Sequence, residues 1–255
     1  MTEIAEGITM PATPQGDEPC WYCEQEPEGG EANDEQADPS NVDGEDNPEN
    51  AENNDASKLG TNLGGKPSWS VTCPDTGKST EVIPGAHHCI PGNASMAKAT
   101  ALHDFMRKGG PHSFVSDIGY DINGAANGVW LPGNYGVRPG KSHYTKKWGS
   151  FSADFKNQYA KRAMEAAGGQ FHDAHSKYSN HVLKTLEAIA DKLAAPGDCP
   201  ICDKPRSATR PPYGLVARIN HVSLAYKERL VGTPDPAAID QGYYTSSRVK
   251  KIYGS

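Results

Sequence analysis

The strongest periodic stretch of the chain runs from Asp173 to Ala195. Tyr178, Val182, Leu186, Ile189 and Leu193 recur at intervals of four, four, three and four residues. That spacing draws one apolar stripe along a helix, and Pro196-Gly197 ends it. Ser152 to Ala167 reads as a second helix, stopped by Gly168-Gly169, and Leu215 to Leu230 as a third. Ala94 to Lys108 predicts a further helix, with Asn93 as N-cap and Gly109-Gly110 as the stop. Period-two alternation marks Trp69-Ser70-Val71-Thr72 as a strand, and Glu81-Val82-Ile83 leads into another apolar run at Pro84. Asn127-Gly128 is placed to turn the chain into a strand at Val129-Trp130-Leu131, which Pro132 ends. There is no internal repeat.

The pattern disappears toward the N-terminus. Residues 24–57 are rich in Glu, Asp, Asn, Pro and Gly, and Val42 is almost the only large apolar side chain there. Such a stretch cannot bury enough surface to offset the entropy of ordering it. Four regions follow: an N-terminal segment over 1–23, an acidic disordered linker over 24–67, a main domain over 68–198, and a C-terminal extension over 199–255. Charge sharpens the division. The first 57 residues hold 17 acidic groups and no Lys or Arg, whereas the rest holds all 25 basic residues and 15 of the 32 acidic ones. The net charge of −7 thus conceals a body of +10 on an acidic arm. A basic body suits a polyanion such as nucleic acid, although a solvated surface explains the charge as well. The arm reads first as a tether, with weak self-shielding of a basic groove as the alternative. No apolar run approaches the ~18 residues that span a membrane, so no membrane partner is expected. The N-terminus lacks the basic and apolar regions of a secretory signal. Export, if it occurs, would use other machinery.

Three clusters carry chemistry. The first is Gly85-Ala86-His87-His88-Cys89-Ile90-Pro91. The second contains Asn123 and Asn127. The third is Phe171-His172-Asp173-Ala174-His175-Ser176-Lys177-Tyr178. Phosphodiester hydrolysis needs an activated water, an electrophile on the phosphate, and neutralisation of the leaving oxygen. One divalent cation supplies the last two. Imidazole is both a metal ligand and a base near neutral pH. Adjacent residues on a strand point to opposite faces, so His87 and His88 can serve different tasks. His175 falls near the edge of the buried helical stripe, with His172 one turn earlier, and His181 lies about 120° away, where it reads as a surface residue. Singly, each feature has a bland reading: a structural His pair, a hairpin turn at Asn127-Gly128, a helix cap and a surface His. Their order along one chain points to a site.

These residues resemble the AHH nucleases of the HNH/endonuclease VII, or His-Me finger, superfamily. The likeness runs from Ala86 to Lys192. It is carried by Ala86-His87-His88 with Pro91, by Asn123 and Asn127-Gly128-Val129-Trp130-Leu131-Pro132, and by His172 to Tyr178. It implies an α+β fold with a ββα-metal core and additional helices. It implies His88 as general base, with His87, His175 and His172 as metal ligands. Asn127 would hold the loop and orient the base, with Asn123 its competitor for that role. His143 competes with the later His pair, and Tyr178 after His175 favours that pair. The resemblance further implies a DNA substrate and one catalytic divalent cation, Mg²⁺ or Mn²⁺ before Zn²⁺ or Ni²⁺. Family members are commonly polymorphic-toxin modules. Such a role would mean a cognate immunity protein, contact with secretion-system components, and action in the cytoplasm of a rival cell.

Cys20-Trp21-Tyr22-Cys23 and Cys199-Pro200-Ile201-Cys202 are two C-x-x-C knuckles. Together Cys20, Cys23, Cys199 and Cys202 could bind one structural Zn²⁺ tetrahedrally, with disulfides or free thiols as the alternative. Cys89 reads as buried packing. The rival to an enzyme is a non-catalytic zinc-stabilised module that binds nucleic acid. It accounts for the cysteines and the charge but leaves the His pair unexplained. A zinc deaminase is disfavoured because no His-x-Glu motif occurs.

Overall fold

The computed structural model describes residues 55–103, 105–106, 120–141, 144–173, 175–194 and 215–254. Helix α1 (Ala56–Leu63) comes first. Strands β1 (Trp69–Thr72) and β2 (Ser79–Val82) form one antiparallel pair. Strands β3 (Pro84–His88) and β4 (Gly128–Pro132) form a second. Between these two lie a 3₁₀ turn over Met96–Lys98 and the short helix α2 (Thr100–His103). Helices α3 (Ala153–Ala167), α4 (Ser176–Ala194), α5 (Leu215–Leu230), α6 (Pro236–Asp240) and α7 (Ser247–Tyr253) complete the order. Separate helices and small antiparallel sheets make this an α+β fold.

Two cores flank the β3–β4 ribbon. One gathers Ile90, Met96, Leu102, Phe105, Val129 and Leu131 against Tyr178, Val182 and Leu186 of α4 and Ile219 and Leu230 of α5. The other packs Val71 and Val82 of the first sheet on Phe155, Tyr159 and Ala163 of α3, with Ile239 and Val249 from the C-terminal helices. The apolar stripe of α4 therefore faces inward as its spacing predicts. The C-terminal segment is built into both cores. Helix α3 starts at a Ser152 cap, whose hydroxyl accepts the Phe155 N–H. It stops at Gly168 in the left-handed region, φ 65°, where a side chain would be strained.

Three expectations need correction. The predicted helix over Ala94–Lys108 is broken into the 3₁₀ turn and α2, and no side chain caps its start. Met96, Ala99, Leu102 and Phe105 are all buried and stand three residues apart. The linker expected over 24–67 ends earlier than predicted, because residues 55–67 belong to the folded body; residues 24–54 lie outside the described ones. In α1, Leu59 is fully buried, and the Asp55 carboxylate caps the helix by accepting the Ser57 N–H at 2.7 Å. Finally, the helix expected from Asp173 starts at Ser176, so His172 and His175 precede it.

Candidate active site

The β3–β4 ribbon sets the frame. Ala86 pairs with Trp130, His87 with Val129 and His88 with Gly128. Both histidines are buried, and they face different neighbours. The His87 ring meets the rings of His172 at 4.7 Å and His175 at 5.0 Å, with Tyr178 behind them at 5.7 Å. The His88 Nε2 lies 2.9 Å from Asn123 Oδ1.

His172 is held from both sides. Its own N–H donates to the Pro132 carbonyl at the end of β4, 2.8 Å. The preceding Phe171 carbonyl accepts the Thr245 hydroxyl, and the following Asp173 N–H donates to the Thr245 carbonyl. Gln170 ties the same segment to Arg229, Tyr243 and Thr245. His175 sits at the mouth of α4, where its carbonyl accepts the Ser179 N–H. Its Nδ1 is 3.2 Å from Ser179 Oγ, an outer contact of the kind that orients a ligating imidazole. Tyr178 anchors the shelf beneath through a 2.6 Å bond from its hydroxyl to the Cys89 carbonyl.

One nitrogen each of His87, His172 and His175 falls within 4.8 Å of the other two. His87 Nε2 is buried and has no hydrogen-bond partner among the described residues. A buried polar atom left this way is costly, and a cation would satisfy it. Burial, reinforced by the neighbouring His172 and His175, holds His87 well below its ordinary pKa. Burial also lowers His172, to about 4, and His175. All three imidazoles are consequently neutral at pH 7, with lone pairs available. The residues present fit a bound divalent metal.

The two asparagines do different work. Asn127 Oδ1 accepts the Ile90 N–H at 2.7 Å and the Ser223 hydroxyl at 3.0 Å. Its Nδ2 donates to the carbonyls of Ile90 and Ile122. This saturated side chain ties the loop after β3 to the loop before β4 and to α5. Asn123, the competitor for the orienting role, is the one whose side chain meets His88. Around them, Cys89 is buried with its thiol pushed up to about 12, in keeping with packing. His181 is half-buried, and its Nε2 lies 2.7 Å from the Tyr243 hydroxyl, which corrects its reading as a surface residue. Cys20, Cys23, Cys199, Cys202 and His143 lie outside the described residues.

Sequence reasoning overlooked Ser179, Gln170, Thr245 and the end of α1. Only Ser179 left a local trace, four residues after His175 and so one turn along. The others reach the site through tertiary contacts.

A two-stranded ribbon carrying a His pair, with two more histidines just before helix α4, brings three imidazoles together as a candidate metal site. Residues 77–201 match the model of the AHH family, a nuclease family of the HNH/ENDO VII superfamily with conserved AHH. That segment belongs to the family, and Ala86-His87-His88 is its AHH signature. No curated protein and no solved structure matches the chain. The family supports a nuclease activity and hence a nucleic-acid substrate. Among the described residues, no helix is long and apolar enough to cross a membrane.

Proposed function

We propose that the chain is a metal-dependent endonuclease that hydrolyses DNA, with His88 as general base and His87, His172 and His175 as the metal ligands. The observation that carries this reading is the three-histidine cluster set beside the His88–Asn123 pair, with His87 and His88 adjacent on β3. A cation held by the three imidazoles would polarise the scissile phosphate and neutralise charge on the leaving oxygen. His88 takes a proton from water as the water oxygen attacks phosphorus and the bond to the leaving oxygen breaks. Asn123 holds the His88 ring in place. The all-imidazole donor set suits Zn²⁺, Ni²⁺ or Fe²⁺ better than Mg²⁺ or Mn²⁺, which prefer oxygen ligands. This reverses the order expected from sequence. The basic body fits a polyanionic substrate. We further propose the toxin role common in the family, with delivery by a specialised secretion system and a cognate immunity protein in the producing cell.

A plasmid-nicking assay tests the core of this. The full chain should nick DNA with added Zn²⁺ or Ni²⁺ and lose that activity in EDTA. His88→Ala should fold normally and slow by roughly 10²–10⁴-fold, the usual worth of a general base. Wild-type cleavage by His88→Ala, or undiminished cleavage in EDTA, would overturn the mechanism.

A further inference from the structure

We infer that helix α1, which precedes the family-matching segment, is part of the catalytic apparatus: the main-chain N–H of Asp55 sets the orientation of the Asn123 amide and, through it, the tautomer of His88. The inference rests on the reading of His88 as the base.

The Asp55 N–H donates to Asn123 Oδ1 at 2.9 Å. His88 Nε2 lies 2.9 Å from that same oxygen. An asparagine amide is ambiguous by itself, since oxygen and nitrogen look alike. Here the ambiguity is removed. A main-chain N–H can only donate, so the atom it meets must be the oxygen; the flipped amide would set donor against donor. An amide oxygen only accepts, so His88 must bring the proton on Nε2. A neutral imidazole protonated at Nε2 carries its lone pair on Nδ1. Turning the amide over would present Nδ2 to His88 and favour the other tautomer. The proton-accepting nitrogen would then be on the wrong edge of the ring.

Helix α1 is seated firmly enough for this task. The Asn62 side-chain amide donates to the Asn123 carbonyl at 2.9 Å, and Asp121 Oδ1 accepts the Asn123 N–H at 2.8 Å. Behind them the helix presses on the ribbon. A Cβ at Gly128 would sit 2.7 Å from Leu59 Cδ1, closer than such atoms come. Trp130 Nε1 donates to the Gly64 carbonyl just past the helix end, 2.9 Å. Asp55 and Asn62 are thus positioning residues. They act through Asn123.

The test uses the full chain, metal-free and labelled with ¹⁵N-histidine. Long-range proton–nitrogen spectra at neutral pH report which His88 nitrogen carries the proton, independently of activity. Wild type should show the Nε2–H form; an Nδ1–H form there overturns the inference outright. Asp55→Ala keeps the main-chain N–H while removing the helix cap, and should retain the Nε2–H form. Asp55→Pro removes that N–H at an extended position, φ −110°. It should admit the Nδ1–H form and lower kcat by about tenfold or more with KM little changed, because a misplaced tautomer is costly in base catalysis. Asn62→Ala, a milder change to the same anchor, should shift the spectrum in the same direction. A wild-type His88 spectrum in both Asp55→Pro and Asn62→Ala refutes the role of α1. A chain with the expected tautomers that never cleaves nucleic acid refutes the proposed function instead.

Discussion

Replacing Asn127 with alanine separates holding the loop from orienting the base. Its side chain makes four buried hydrogen bonds, to Ile90 twice, to Ile122 and to Ser223. Alanine supplies none of them. The Ser223 hydroxyl can rotate, but the Ile90 N–H and the two carbonyls are fixed by the backbone. Each buried group left unsatisfied costs about 1–3 kcal/mol. The two worst placed bring the total to roughly 3–5 kcal/mol, near the upper end for single substitutions. For a body of this size about 1 kcal/mol moves Tm by 2–4 °C, so the midpoint should fall by about 10 °C. Asn123→Ala should behave differently. Its oxygen serves the part-buried Asp55 N–H and buried His88, so about 1–3 kcal/mol of stability is at stake, less than for Asn127, while the base loses its orientation. Circular dichroism melts of metal-free protein give the first quantity. Single-turnover cleavage, at a temperature where both variants are folded, gives the second. An Asn127→Ala chain that melts like wild type but has lost more than about 100-fold in rate would return the orienting role to Asn127 and refute the division of labour drawn here.

Alanine at His87, His172 or His175 should weaken divalent-metal binding by about 100-fold or more, since even outer-contact changes cost 10–100-fold; calorimetric titration giving wild-type affinity for all three would remove the proposed centre. Metal-free protein should lose stability on acidification, because the unfolded chain takes up protons below about pH 6.5 that buried His172, lowered to about 4, refuses. That contribution is intact above pH 6.5 and falls away between 6.5 and 4, by roughly 3 kcal/mol for His172 alone; denaturant midpoints in EDTA that stay level from pH 7.5 to 5 would contradict it. If Cys20, Cys23, Cys199 and Cys202 bind a structural zinc, elemental analysis should find about one zinc per chain more in wild type than in a Cys199→Ser/Cys202→Ser double variant with the histidines unchanged; equal zinc in the two, or intact disulfides in wild type, would end the knuckle proposal.

Much of this architecture was legible along the chain because its long elements obey local rules. The α4 stripe, the Ser152 cap with its Gly168 stop, and the alternation of Trp69–Thr72 are each decided within one or two turns of chain. The β3–β4 pairing is not local in this sense: it joins strands far apart in the chain, and only the family resemblance implied it. Failures came where the local signal was thin or ambiguous. Helix α1 offers only Leu59 and Leu63 as large apolar residues, and it follows directly on an acidic low-complexity stretch. Composition therefore outweighed the Asp55 cap and the Gly64-Gly65 stop. The segment after Pro91 carries residues compatible with an α-helix, but no side chain caps its start, and the described part breaks into a 3₁₀ turn and one short helix.

The asparagines show a different limit. The family resemblance assigned the orienting role to Asn127, with Asn123 as its competitor. What decides between them is hydrogen-bond satisfaction, a property of the whole fold. Asn127 has both lone-pair directions and both amide hydrogens engaged by Ile90, Ile122 and Ser223, so it has nothing left with which to steer an imidazole. Asn123 shares one oxygen between a main-chain N–H and His88, so the same atom that fixes the amide also fixes the ring. The donor that makes this arrangement unambiguous comes from Asp55, 68 positions earlier and outside the segment that matches the family. A motif can thus name the groups that react, while the groups that hold them in register come from parts of the chain the motif does not reach. The same holds at the three-histidine cluster, where Thr245, beyond the matched segment, grips the backbone on either side of His172. Substitutions at Asn62, Gln170 or Thr245 should therefore affect function in proportion to how far they release a histidine.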